Sequence, residues 1–196
     1  MNNHETDHDL DELGSDPRLA ALSRFVRFIE LIPWFRNLGE PLDPIFIEEA
    51  RDYLDALGFG HADVALVEDW DEAAAAAETN DWNSPWWEAE EQQVAHLTRL
   101  AIDRLGEDTV EAIVTIVASR AAEAATRALE VVTEIWNIDD EELINAAAGA
   151  AVQSCYQAAL VLAAGASEGH PFSLKFHVFE VGRWPLGVTG NTFNIF

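Results

Sequence analysis

Two histidines near the start of the chain stand at the spacing of a zinc site. Residues 4–8 read H-E-T-D-H and match the pattern H-E-x-x-H, in which both histidines hold zinc and the glutamate acts as a base. That chemistry requires a rigid helix, and nothing apolar lies between His4 and Leu10 to hold a helix against a core. We therefore expect adventitious binding of divalent metals by this segment, and no protease site.

Two pairs of carboxylates point to a second metal chemistry. Glu49 and Asp52 stand three residues apart, and Glu68 and Asp71 repeat that spacing in the next predicted helix. Oxygen ligands of this kind suit magnesium. The pattern resembles the paired motifs of all-α nucleotide pyrophosphohydrolases, in which acids on neighbouring helices hold magnesium against a triphosphate. The resemblance covers these four positions, and Asp52 stands where that family usually has Glu.

Helical geometry turns these acids outward. Asp52 points away from the apolar face to which Phe46 and Ala50 belong, and Glu68 lies opposite Trp70. Metal ligands in a helical bundle face inward between the helices. We therefore expect a solvated acidic face, and a magnesium-dependent hydrolase stays the alternative.

Three tryptophans form the strongest candidate for a binding surface. Trp82, Trp86 and Trp87 fall within six residues at the start of a predicted helix. Tryptophan is enriched at the energetic centres of protein interfaces. Two tryptophans in the first turn of a helix also pack readily as a lid on a core, so contact with a partner and packing both stay open.

The remaining histidines and the cysteine give no catalytic set. The residues concerned are His61, His96, His170, His177 and Cys155. The histidines are scattered without a fixed metal spacing and are predicted to be structural. Cys155 lies in an apolar segment with no basic neighbour to lower its pKa, which predicts an inert buried thiol.

The charge of the chain limits the kinds of partner that it can bind. Acidic residues outnumber basic ones by 36 to 11, which gives a net charge of −25, and Lys175 is the only lysine. Such a chain repels phosphate backbones and anionic headgroups, so we expect no nucleic acid and no membrane partner. A basic protein surface would be attracted. A GC-rich genome, a salty habitat and a selected acidic face all stay open as the origin of the charge.

The apolar and terminal segments predict a cytoplasmic protein. The most apolar stretch, 143–166, is interrupted by polar residues and is rich in alanine, which predicts a buried helix and no membrane span. The first residues are acidic and polar, which is not typical of a secretory signal.

Apolar spacing and capping signals predict six helices between 16 and 165. They begin at Asp16-Pro17, at Asp43-Pro44, near Ala62, at Ser84-Pro85, at Asp108 and at Asp139, and they end near Pro33, Gly58, Glu78, Leu105, Trp136 and Gly165. Residues 1–14 show no periodicity and are predicted to be a disordered acidic tail. Residues 15–196 are predicted to form a single helical domain.

The spacing of the apolar residues changes in the last segment of the chain. Phe172, Leu174, Phe176 and Val178 alternate with polar residues, which predicts a strand. A turn at 190–191 precedes a final strand, so residues 171–196 are expected to form a hairpin whose apolar face the bundle or a second copy must cover. The predicted fold class is therefore mainly α, a bundle of five to six helices with a small C-terminal antiparallel β-hairpin.

Three functions stay open. The leading hypothesis is a non-enzymatic protein whose acidic face or tryptophan patch binds a protein partner, because no coherent catalytic set is visible and no cofactor is implied. The second is the magnesium-dependent nucleotide hydrolase. The third is a structural protein that forms homo-oligomers through the edge of the C-terminal hairpin.

Overall fold

The protein is mainly helical, with 66% of the residues that the structure describes in helices and a small mixed sheet of three strands. A computed structural model describes residues 16–79, 84–167 and 169–196. Within those ranges the elements are α1 (Ala20–Ile29), α2 (Pro44–Ala56), β1 (Asp63–Leu66), α3 (Trp70–Glu78), α4 (Pro85–Leu105), α5 (Glu107–Trp136), α6 (Glu141–Ala164), α7 (Pro171–Glu180), β2 (Pro185–Thr189) and β3 (Thr192–Ile195). The predicted fold class is confirmed. The histidine motif, the tail and Trp82 lie outside the described residues.

Capping side chains begin most of the helices. Asp43 accepts hydrogen bonds from the backbone N–H groups of residues 45 and 46, and Ser84 accepts one from Trp87. Each is followed by a proline at the first helical position, as predicted. On α6 the cap is Asp140 and not the predicted Asp139. The carboxylate of Asp16 binds Arg18 instead of beginning α1, which starts at Ala20.

The predicted helix from Ala62 is wrong in its first half. Residues Asp63–Leu66 form β1, and the helix starts only at Trp70. The start signal was present in the sequence, because Asp69 accepts from the Glu72 N–H and Glu72 reaches back to the Glu68 N–H. Pairing with a strand 129 residues later cannot be read from local spacing, and that pairing decides the conformation of β1.

The predicted strand over 172–178 is wrong, because this segment is helix α7. It begins as α2 and α4 do, with a cap at His170 and a proline next. Phe172, Phe176 and Phe179 face the main core, while Leu174 and Val178 face a second core on the other side. A helix that is apolar on two faces reproduces the alternation of a strand.

The sheet has the strand order β1-β3-β2. β3 pairs antiparallel with β2 across the predicted turn at 190–191, and parallel with β1. β3 is therefore paired on both sides, and the outer edge of the hairpin belongs to β2, whose first three residues are buried. Self-association through that edge stays a prediction.

Two apolar cores meet at α7. The main core is formed by residues of α1, α4, α5 and α6 together with the phenylalanines of α7. The second core lies between α2, α7 and the sheet, where Tyr53, Leu54 and Phe193 are fully buried. The division of the chain into a tail and a single domain stays a prediction.

Helix α6 is long and apolar enough, by length and composition, to cross a membrane, and it is the one such helix in the part of the chain that the structure describes. Its most apolar 18-residue window has a mean hydropathy of 1.3, and 56% of that window is buried inside the protein. The core helix of a soluble protein meets the same two criteria, so this helix by itself decides nothing about membranes.

The close contact between Gly39 and the segment before α3 predicts that alanine destabilises the protein more at Gly39 than at Gly58. Gly39 and Gly58 both have positive φ, at 70° and 89°. A Cβ at Gly39 would collide with the Glu68 carbonyl oxygen, whereas a Cβ at Gly58 meets nothing within 4 Å. We expect Gly39→Ala to lower the free energy of unfolding by about 2–4 kcal/mol and Gly58→Ala by about 1 kcal/mol. Equal losses in urea titrations would contradict this.

Candidate functional site

A buried ion pair joins α4 to α7. Lys175 Nζ lies 2.7 Å from Glu90 Oε1 and 2.9 Å from Glu90 Oε2. The two side chains keep only 8% and 2% of their surface exposed. Removing two charges from water costs more than their attraction returns unless other groups also bond them. The neighbours of the pair therefore decide whether it is stable.

Hydrogen bonds from two further helices complete the pair. The Tyr53 hydroxyl on α2 donates to Glu90 Oε1 at 2.8 Å, and Gln157 Nε2 on α6 donates to Glu90 Oε2 at 3.4 Å. Trp86 Nε1 donates to the Tyr53 hydroxyl at 3.0 Å. The Lys175 ammonium also lies 5.4 Å from the centre of the Trp86 ring, within the range of a cation–π attraction. Four helices thus meet at one carboxylate.

Burial holds the phenol of Tyr53 in its neutral form. Desolvation raises the pKa of Tyr53 well above its ordinary value, and the charge of Glu90 and the hydrogen bond to it raise it further. A neutral hydroxyl both donates and accepts, so Tyr53 can donate to Glu90 while it accepts from Trp86. A phenol that stays neutral in this way suits a fixed structural contact.

Sequence reasoning did not select Tyr53, Glu90 or Lys175, although a signal was present. On α4 the buried residues follow at helical spacing and are Trp86, Glu90, Leu97 and Ala101. Glu90 therefore occupies a core position within an apolar face. Lys175 stands in the same way among the buried phenylalanines of α7. A single acid and the only lysine on two apolar faces predict a buried pair, since neither is stable there alone.

An apolar cleft of about 460 Å³ lies beside this network. Large side chains line the cleft from α4, from β2 and from the residue before β2, and small residues line it mainly from α6. The large ones are Trp86, Trp87, Trp184, Pro185, Leu186 and Val188; the small ones are Ala77, Ala146, Gly149 and Ala150; Gln153 and Lys175 are polar. Clefts of this volume, mostly apolar with a few polar groups, are typical of ligand sites.

Two of the three predicted tryptophans line the cleft. Trp86 and Trp87 lie with their ring centres 6.0 Å apart. Trp86 is 8% exposed, and Trp87 is half-buried. Trp86 packs in the second core, as one of the two alternatives predicted, and it also lines the cleft. Contact of the tryptophans with a partner stays a prediction.

The four predicted metal-binding carboxylates are not brought together. Asp52, Glu68 and Asp71 are exposed, and Glu49 lies beside α7, where its carboxylate is 3.2 Å from His177 Nε2. Among the residues with described positions, no group of three or more histidines, cysteines and acids could hold a metal ion.

His177 bridges α2 and α7. Its Nδ1 lies 2.8 Å from Glu180 on its own helix, and its Nε2 faces Glu49. The hydrogen bond to Glu180 raises the pKa of His177 above its ordinary value, burial opposes that rise, and the charges of Glu180 and Glu49 add to it. The imidazolium therefore stabilises the contact between the two helices.

Cys155 and His170 have the surroundings expected of structural residues. Cys155 is fully buried in α6, and burial raises the pKa of its thiol. His170 Nδ1 accepts a hydrogen bond from the Phe172 N–H and so caps α7.

Comparison of the chain with family models, with curated proteins and with solved structures finds no match. The chemistry of the cleft and of the network beside it must therefore be derived from their own residues.

The buried pair predicts that a second substitution restores stability. Lys175→Met leaves the Glu90 carboxylate buried without its cation and should lower the free energy of unfolding by about 3–5 kcal/mol. Adding Glu90→Gln removes the unpaired charge and keeps an acceptor for the Tyr53 hydroxyl, so the double variant should lose less in urea titrations. A double variant as unstable as Lys175→Met, or more so, would show that charge is not the cause.

The bridge at His177 predicts a pH-dependent contribution to stability. Because the pKa is raised in the folded state, the contribution is fully present below the unfolded value of 6.5 and is lost as the pH rises through the folded value. His177→Gln should therefore lower the melting temperature more at about pH 6 than at about pH 9. His61→Gln, at an exposed position, controls for the loss of an imidazole. A His177→Gln deficit that is constant with pH would count against the bridge.

Proposed function

We propose that this protein is a non-enzymatic binding protein and that the cleft beside Trp86 and Trp87 holds an apolar group of its ligand. The observation that carries the proposal is the lining of the cleft, which combines Trp86, Trp87 and Trp184 with alanine and glycine. An aromatic or aliphatic group held there would bury apolar surface, which is favourable by about 25 cal/mol per Å².

The tryptophan wall is fixed before a ligand arrives. The Trp86 indole is held by its hydrogen bond to Tyr53 and by the ammonium of Lys175 against its ring. A wall that does not have to be ordered on binding lowers the entropic cost of association. The buried network thus supports binding by positioning one side of the cleft.

The polar groups at the cleft favour binding over catalysis. The charges of Glu90 and Lys175 are bonded to each other, and Tyr53 and Gln157 hold the carboxylate in addition. A general acid or base must be able to exchange its proton with a reacting group, and these groups are instead engaged in fixed contacts. A protein partner with a basic surface, as the charge of the chain predicts, would use the same cleft for one apolar side chain.

The helical Gly149 allows the cleft to be filled without damage to the fold. A side chain at Gly149 meets nothing within 4 Å at its Cβ. Gly149→Leu should therefore maintain or raise stability, since glycine inside a helix costs about 1 kcal/mol relative to alanine. It should also lower the affinity for the neutral dye N-phenyl-1-naphthylamine by about tenfold or more, about 1.4 kcal/mol. Fluorescence titration of the dye measures the affinity.

Two controls accompany this experiment. Gly149→Ala makes the same backbone change with little loss of volume and should keep the affinity. Ala122→Leu adds a leucine at an exposed position of α5, a helix that does not line the cleft. Absence of dye binding by the unaltered protein, or equal binding by Gly149→Leu, would refute the proposed site.

A further inference from the structure

A second pocket of about 310 Å³ lies between α4 and α6. Trp87 and Gln153 line both this pocket and the apolar cleft, so the two cavities are neighbours, and together they are called the groove. The charged lining differs between them, because Lys175 lines the cleft whereas Glu90 and Glu91 line the second pocket. A ligand that spans the groove would therefore place its apolar part in the cleft and a polar end near these carboxylates.

Gln157, which lines the second pocket, carries a buried acceptor for which the structure shows no donor. The Gln157 side chain is 1% exposed, and its Oε1 has no hydrogen-bond partner. Its Nε2 is directed at Glu90, which leaves the carbonyl end for another group. A buried amide oxygen without a donor is unfavourable, so a ligand that donates to Gln157 Oε1 gains this contact at no loss of an existing one.

The charge of the pocket selects the kind of donor. Among the described residues, the charged ones that line it are the two carboxylates Glu90 and Glu91, and no basic side chain lines it. Glu90 is already neutralised by Lys175, whereas Glu91 is exposed at the edge. The rings of Trp87 and Tyr156 also line the pocket, and aromatic faces attract cations.

We infer that the groove binds an amphipathic primary amine, with the apolar body in the cleft and the ammonium group in the second pocket, donating to Gln157 Oε1 and facing Glu91. This inference rests on the proposed function of the cleft and adds the chemical class of the ligand. An anionic headgroup would find only Lys175 for a partner, and that ammonium already bonds both oxygens of Glu90. The net charge of −25 attracts the amine and repels the anion.

The inference is tested with three compounds that share one apolar chain. Octylammonium, octanol and octanoate are each titrated against the protein saturated with N-phenyl-1-naphthylamine, at neutral pH and moderate salt. We expect octylammonium to displace the dye with an affinity at least tenfold above that of octanol, and octanoate to be the weakest. Similar affinities for octylammonium and octanol, with the dye bound, would overturn the inference while leaving the proposed function in place.

Matched variants separate the pocket from the general charge of the surface. Glu91→Gln should lower the affinity for octylammonium about fivefold or more, whereas Glu88→Gln, an exposed acid of the same helix that does not line the pocket, makes the same change in net charge and should have little effect. Gln157→Met removes the free acceptor and should lower the preference for octylammonium over octanol by a similar factor while dye binding persists.

Each outcome decides one of the two proposals. Equal effects of Glu91→Gln and Glu88→Gln would assign the amine preference to surface charge and overturn the inference. If the dye itself does not bind, the cleft is not the site, and the proposed function fails first. Displacement of the dye by a basic peptide with an apolar residue, but not by octylammonium, would assign the groove to a protein partner instead.

Discussion

The arrangement of the molecule depends on one buried charge. Glu90 lies in a helix face that packs into the interior, and an uncompensated carboxylate there would oppose folding. Its hydrogen bonds come from three other helices, through Tyr53, Gln157 and Lys175. Each of these bonds has a direction as well as an energy, whereas apolar contacts do not. The relative placement of α2, α4, α6 and α7 is therefore constrained more narrowly than packing of alanine-rich helices would require.

The same constraint shapes the cleft. Trp86 is fixed by Tyr53, and Tyr53 is fixed by Glu90, so the large wall of the cleft is connected to the buried pair by two hydrogen bonds. On α6 the cleft is lined by the small residues Ala146, Gly149 and Ala150, so this helix leaves space that larger side chains would occupy.

Short-range signals in the sequence correctly predicted the helix starts, because these depend on residues within one turn. The starts of α2 and α4 follow from Asp43-Pro44 and Ser84-Pro85, because a cap and a proline act within one turn. β1 and α7 were assigned wrongly because their conformations depend on distant partners. β1 is a strand through its pairing with β3, and α7 is a helix with two buried faces because it lies between two cores. Trp86 and Trp87 could be found from residue type alone. The signal for the Glu90–Lys175 pair was obscured because the segment of Lys175, 85 residues after Glu90, was predicted to be a strand with Lys175 on its polar side.

The parallel pairing of β1 with β3 also affects how the chain acquires its structure during translation. Asn191 donates a hydrogen bond to the His61 carbonyl, 130 residues earlier. A nascent chain that has already exposed β1 and α2 outside the ribosome must wait for residues 185–196 before Phe193 and Ile195 can cover Tyr53 and Leu54. Contacts at such separation form slowly because a long loop has to close first. The α2–β1 region would thus be the last part to become protected, and in that interval its exposed apolar residues are open to chaperones and to nonspecific association.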